Sequence, residues 1–107
     1  MARKKPYTIG FATLVNEHLR AINKKHHALI RENIGEQLRF EPDTETKNRK
    51  PMRRPAPFGA SWELRFGPSN RFRVLYEIDD ESRLVRILAI GVKERERLVF
   101  GGEEVEL

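Results

Sequence analysis

The fold is decided between positions 62 and 90. The chain there reads Trp62-Glu63-Leu64-Arg65-Phe66, Gly67-Pro68-Ser69-Asn70, Phe72-Arg73-Val74-Leu75-Tyr76-Glu77-Ile78, Asp79-Asp80-Glu81-Ser82 and Leu84-Val85-Arg86-Ile87-Leu88-Ala89-Ile90. Apolar residues alternate with charged ones in the first run and largely so in the second, the period of a half-buried strand. The two tetrads between the runs are turn chemistry. The third run is apolar on both faces, as a central strand must be. Period-two geometry points Trp62, Leu64, Phe66, Phe72, Val74, Tyr76 and Ile78 to one side, and Glu63, Arg65, Arg73, Leu75 and Glu77 to the other. Trp62 and Tyr76 therefore read as core residues and not as base-stacking platforms.

Working outward, Tyr7-Thr8-Ile9-Gly10-Phe11 reads as a short first strand. Phe11, Leu14, Val15, Leu19 and Ile22 then recur at helical spacing, and a second stripe runs through Leu29, Ile30, Ile34 and Leu38. Asn23-Lys24-Lys25 separates the stripes and Pro42 stops the second, which predicts an antiparallel helical hairpin. The expected core is Phe11, Leu14, Leu19, Ile30, Ile34, Trp62, Leu64, Val74, Tyr76 and Ile87. Residues 41–60 read as a basic loop, Gly91 as the end of the third strand, Lys93 to Phe100 as a short C-terminal helix, and 101–107 as a loosely held acidic tail. The fold class is α+β in β-α-α-β-β-β order. A two-helix hairpin packs on one face of a small antiparallel or mixed sheet, in a single domain spanning 1–107.

The chain has 107 residues, a net charge of +5 and no cysteine, which excludes disulfides, thiolate nucleophiles and cysteine-based zinc sites. No stretch is apolar enough to span a bilayer, and Met1 to Pro6 lead into no signal core; membrane partners are not expected and the location expected is cytoplasmic. Residues 1–58 hold 13 Lys/Arg against 6 Asp/Glu, and residues 59–107 hold 8 against 10. The excess peaks at Lys47, Arg49, Lys50, Arg53 and Arg54, with no acid in the segment: either an RNA-backbone contact or a solvated loop. His18, His26 and His27 have no convergent ligands around them, so neither metal nor cofactor is expected and their roles read as structural or surface. A helix-borne histidine should not reach the open face of the sheet.

The strand residues also resemble a known family. The RelE/ParE toxins of type II toxin–antitoxin systems share the element order and an aromatic-x-aliphatic-basic strand. They follow it with an aromatic-Arg-aliphatic-aliphatic-Tyr strand, an acidic turn, a β-branched strand ending in glycine, and a basic cluster. Here these are Trp62 to Phe66, Phe72 to Tyr76, Asp79-Asp80, Val85 to Gly91, and Lys93 to Arg97. The resemblance, nearest the RelE-like branch, implies a ribosome-dependent, metal-independent mRNA endoribonuclease that blocks translation, with ribosome, mRNA and a cognate antitoxin as partners. It implies that Arg73 faces the phosphate, with Arg65 and Lys93 or Arg95 beside it. Glu63 stands where RelE has a lysine and is either a base or an ion-pair partner of the arginines. Phe100 replaces a tyrosine that assists the reaction in RelE. Lys93, Arg95 and Arg97 alternate with Glu94 and Glu96, so a solvated charged face competes with phosphate binding there. The alternative within the superfamily is a ParE-like inhibitor of DNA gyrase, or a catalytically weak toxin that acts by binding.

Overall fold

A computed structural model describes residues 5–106. Met1 to Lys4, where a signal segment would begin, and Leu107 of the acidic tail lie outside the described residues. Seven strands and two helices follow in the order β1 (Thr8–Phe11), α1 (Leu14–Arg20), α2 (His27–Leu38), β2 (Arg49–Pro51), β3 (Trp62–Phe66), β4 (Phe72–Asp79), β5 (Leu84–Glu94), β6 (Arg97–Phe100) and β7 (Glu103–Val105). They form one mixed sheet, β2-β3-β4-β5-β6-β7, with β1 added to β5 in parallel. The α+β class and the helices on one sheet face agree with the sequence reading. No helix among the described residues is long and apolar enough to cross a membrane.

The three strands read from the alternation are present, and the face assignment holds. Leu64, Phe66, Phe72, Val74 and Tyr76 pack with Ile30, Ile34 and Leu38 of α2 and with Val85, Ile87 and Ile90 of β5. Leu88 is the extra residue where the β4–β5 register shifts after Leu75, so Leu75 pairs with Ala89 while Tyr76 pairs with Ile87. Helix α2 follows a 3₁₀ turn whose Asn23 side chain accepts from the Lys25 amide. The His27 Nε2 lies 2.9 Å from both the Leu19 and the Ile22 carbonyls, tying the end of α1 to the start of α2.

Four expectations are corrected. Helix α1 begins only at Leu14, and its buried stripe is Val15, His18 and, just beyond the helix, Ile22. Phe11 therefore stays in the strand and Leu14 lies off the stripe, and both are exposed. Lys93 to Phe100 is not a helix: β5 continues through Gly91 to Glu94 and turns at Arg95-Glu96 into β6. The acidic tail is held, because Glu103–Val105 pairs with Leu98–Phe100. The 41–60 segment is more than a loop, since Arg49–Pro51 pairs with Trp62–Leu64 and residues 57–59 form a 3₁₀ turn. The alternating charges of Lys93 to Arg97 lack the apolar stripe a helix would bury, and pairing of their backbone decides the outcome.

Buried Tyr76 fixes the start of the basic segment, its hydroxyl donating to the Pro42 carbonyl at 2.6 Å. Burial raises the Tyr76 phenol above its ordinary range, so it remains a donor at any physiological pH. Tyr76→Phe should lower unfolding free energy by about 1–2 kcal/mol, because a buried carbonyl loses its partner. Urea denaturation should show a lower midpoint with an unchanged slope.

Candidate functional site

On the sheet face opposite the helices, β3 and β4 bring Glu63, Arg65 and Arg73 together. Arg65 and Arg73 stand directly opposite in register, a placement that two like charges would resist without a counter-ion. Glu63 supplies it. One carboxylate oxygen accepts from Arg65 Nε at 2.7 Å and the other from Arg73 Nη1 at 3.2 Å. Glu63 and Arg73 are buried, while the Arg65 side chain is 39% accessible. Arg73 Nε donates to the Asn70 carbonyl at 3.1 Å, so its guanidinium is oriented from two sides. Of the two readings of Glu63, the geometry is that of an ion-pair partner, with both oxygens committed.

Lys93 sits on the same face of β5, and Arg95 projects from the β5–β6 turn with φ 59. Arg71, which the strand motifs do not single out, joins them. The Lys93 amide donates to the Arg71 carbonyl at 2.6 Å, and Arg71, Lys93 and Arg95 line one open cavity of about 380 Å³ with Pro68 and Ser69. Among the described residues none of these three cations has an acidic partner. The signal for Arg71 is its place near Arg73 at the mouth of the hairpin turn.

The basic segment divides. Lys47, Arg53 and Arg54 are exposed and carry no ion pair among the described residues, and Lys50 lies 3.6 Å from Glu45. Arg49 is buried and structural, which corrects its reading as an RNA contact: Nη1 donates to the Gln37 carbonyl and side chain at 2.9 and 2.7 Å, and Nε to the Thr44 carbonyl at 2.8 Å. Strand pairing at Arg49–Pro51 turns its side chain under the sheet, which a charge run cannot disclose. Arg49→Met should cost about 2 kcal/mol in a urea melt, since charged hydrogen bonds to carbonyls are lost. Arg53→Ala should leave that melt unchanged.

The face is not bare. Ala60, Leu75, Ala89 and Phe100 form a second apolar cluster on it, with Met52, Leu98 and Val105 packed around. The Phe100 ring lies on Gly91, where a Cβ would come within 2.6 Å of it, and Gly91 is in register with Arg73. His18 reaches this cluster, contrary to expectation, its ring centroid 5.9 Å from that of Phe100 and 5.5 Å from that of Phe58. The reason is a gap in strand pairing. β1 covers β5 as far as Ile87 and β6 begins at Gly91, so the Ile90 amide faces no strand; it donates instead to His18 Nδ1 at 3.1 Å.

Among the described residues no cluster of three His, Asp or Glu side chains converges as metal ligands do. The helices packed on one face of the sheet give the α+β layout to which the sequence motifs pointed. The sequence matches no family model and no curated protein. Among solved structures, the fold matches a chain of the RelBE2 toxin–antitoxin complex of Mycobacterium tuberculosis, with TM-score 0.67 and 28% identity over 87% of this chain and 98% of that one. The chain thus has a RelE-like toxin fold and is similar in sequence to that protein.

Burial holds the His18 pKa below its ordinary 6.5. The unfolded chain thus takes up a proton that the folded chain resists, so stability should be full above 6.5 and decline as the pH falls through 6.5 toward the lower folded value. His26, lowered by desolvation and then by Arg71, adds in the same direction. Thermal melts between pH 7.5 and 5 should show the decline, and His18→Asn, which can still accept from Ile90, should reduce it and leave the share due to His26.

Proposed function

We propose that this chain is the toxin of a toxin–antitoxin pair and acts as a metal-independent endoribonuclease on mRNA in the ribosome. The observation that carries the reading is the Glu63-organised arginine pair on the cationic face of a RelE-like fold. Cleavage by a ribose 2′-hydroxyl on the adjacent phosphate develops charge on a pentacoordinate phosphorane, and fixed guanidinium donors stabilise such charge without reorganising. Arg73 is held from two sides and has Nη2 left to donate; Arg65 and the Lys93/Arg95 cluster position the phosphate. Lys47, Lys50, Arg53 and Arg54 hold the RNA backbone through salt-sensitive contacts. Glu63 acts by holding the arginines, and proton transfer falls to the ribosome or solvent. An acidic antitoxin segment laid over the same cations is the inhibitory partner this face fits.

Induced expression without the antitoxin, followed by primer extension on cellular mRNA, tests the reading. Arg73→Ala should reduce cleavage about a hundred- to a thousandfold, the usual effect of removing an oxyanion donor. Lys50→Ala should weaken cleavage modestly, and with purified ribosomes the deficit should shrink as salt rises, because the lost contact is one that salt screens. Glu63→Gln, which removes the counter-ion of two opposed arginines, should lower the urea midpoint and cleavage together, whereas loss of a catalytic base would lower cleavage with the midpoint unchanged. Growth arrest by the Arg73→Ala variant with mRNA intact and DNA replication halted would replace this reading with gyrase inhibition.

A further inference from the structure

Among the described residues, strands β1, β2 and β7 each pair along one side only, and their other sides are free edges of the sheet. A free edge offers unpaired N–H and C=O groups to any extended chain, and proteins usually blunt it with charge or proline. Two of the three are blunted: β2 reads Arg49-Lys50-Pro51 and β7 reads Glu103-Glu104-Val105. β1 reads Thr8-Ile9-Gly10-Phe11, with neither a charge nor a proline.

The pairing of β1 identifies its free groups. The Thr8 amide donates to the Arg83 carbonyl and the Ala12 amide to the Ile87 carbonyl, both on the β5 side. Backbone groups alternate sides along a strand, so Gly10 also faces β5, while the N–H and C=O of Ile9 and Phe11 point outward. The open stretch is short. Tyr7 closes it at one end, its amide donating to the Arg39 carbonyl at 2.6 Å, and helix α1 begins at Leu14 at the other. Gly10 stands in the middle. Ile9 packs against the core, but Phe11, on the same sheet face by parity, is 56% exposed and walls an apolar groove of about 90 Å³ with Leu19, Ile30 and Ile34.

The strand is its own complement. Laid antiparallel about a two-fold axis at Gly10, Ile9 of each copy faces Phe11 of the other. Each such pair exchanges two N–H···O=C bonds and sets a β-branched side chain against an aromatic one, a favourable cross-strand pair. The same operation on β2 would oppose cations, and on β7 acids. The chain carries a net charge of +5, and at β1 two copies meet without opposing like charges. An acidic partner segment finds no cation in Thr8–Phe11 to answer it.

We infer that β1 is a self-association edge, at which two copies of this chain pair antiparallel through Ile9, Gly10 and Phe11 into one continuous sheet. Arg73 lies on β4, two strands in from that edge, so both cationic faces stay open in the dimer. The pairing does not depend on what those faces bind.

Gly10 is the position to test. A Cβ there makes only ordinary contact with Leu84, at 3.5 Å, and its register neighbour Arg86 is engaged by Glu77, so the fold tolerates a charged side chain. The full chain, refolded from urea so that no partner stays bound, should rise in mass from one chain toward two across a concentration series in light scattering. Gly10→Lys and Gly10→Glu oppose like charges across the axis, and each should weaken self-association about fivefold with circular dichroism unchanged. Mixing the two variants should restore the dimer, because the opposed charges then attract. Amide exchange at Ile9 and Phe11 should slow as the concentration of the unaltered chain rises. A chain that stays monomeric at every concentration overturns the inference, as does a dimer that neither charge weakens or that mixing does not restore. Protection of those two amides that arises only with a different protein present gives the edge to that partner's strand and overturns it equally.

Discussion

Strand β5 has to satisfy its backbone along two edges, and the way it does so organises the molecule. One edge is covered throughout by β4. The other is shared: β1 runs parallel to Leu84–Ile87, and β6 runs antiparallel to Gly91–Glu94. Between them a buried amide at Ile90 would be stranded, and an unpaired buried donor costs about 1–3 kcal/mol. The His18 imidazole removes that cost. It also pins α1 to the sheet and brings a helical side chain into contact with Phe58 and Phe100. The cationic face and the helical layer are linked through this one nitrogen acceptor.

Across β4 a second constraint operates, and it is electrostatic. Two arginines in register on neighbouring strands repel, and Arg73 is buried enough that solvent screens it poorly. Glu63 satisfies both at once. A pair broken by removing one partner would leave an uncompensated buried charge, which is strongly destabilising. The cluster is therefore rigid in the resting protein. Donors already aimed and desolvated need little rearrangement when an anion arrives. Arg71, Lys93 and Arg95 contrast with it: among the described residues none has an acidic partner, and they line an open cavity.

Much of this is legible in the chain because strand periodicity is simple. Alternation from Trp62 to Ile78 dictates which side chains share a face, and that alone places Glu63, Arg65 and Arg73 together. Helical stripes are less informative. Phe11, Leu14, Val15 and Leu19 are all apolar, so several buried faces are compatible with the same residues. The observed one is chosen by Val15, His18 and Ile22, with a histidine in the middle that hydropathy does not count as core. Arg49 escapes a reading from charge for a related reason, since burial of a cation depends on carbonyls supplied by Gln37 and Thr44, both distant in sequence from the strand it pairs with.

The sequence alone determined the α+β class, the central three strands, the two helices, the charge asymmetry and the membership of the arginine centre. These follow from local period, turn chemistry and composition, which need no knowledge of distant contacts. Tertiary structure decided the C-terminal hairpin, the anchoring of the acidic tail, the burial of Arg49 and the meeting of His18 with Phe58 and Phe100. Each depends on backbone groups that find partners only when separate segments meet: β6 and β7 complete an edge that β5 leaves open, and His18 fills the gap that they do not reach.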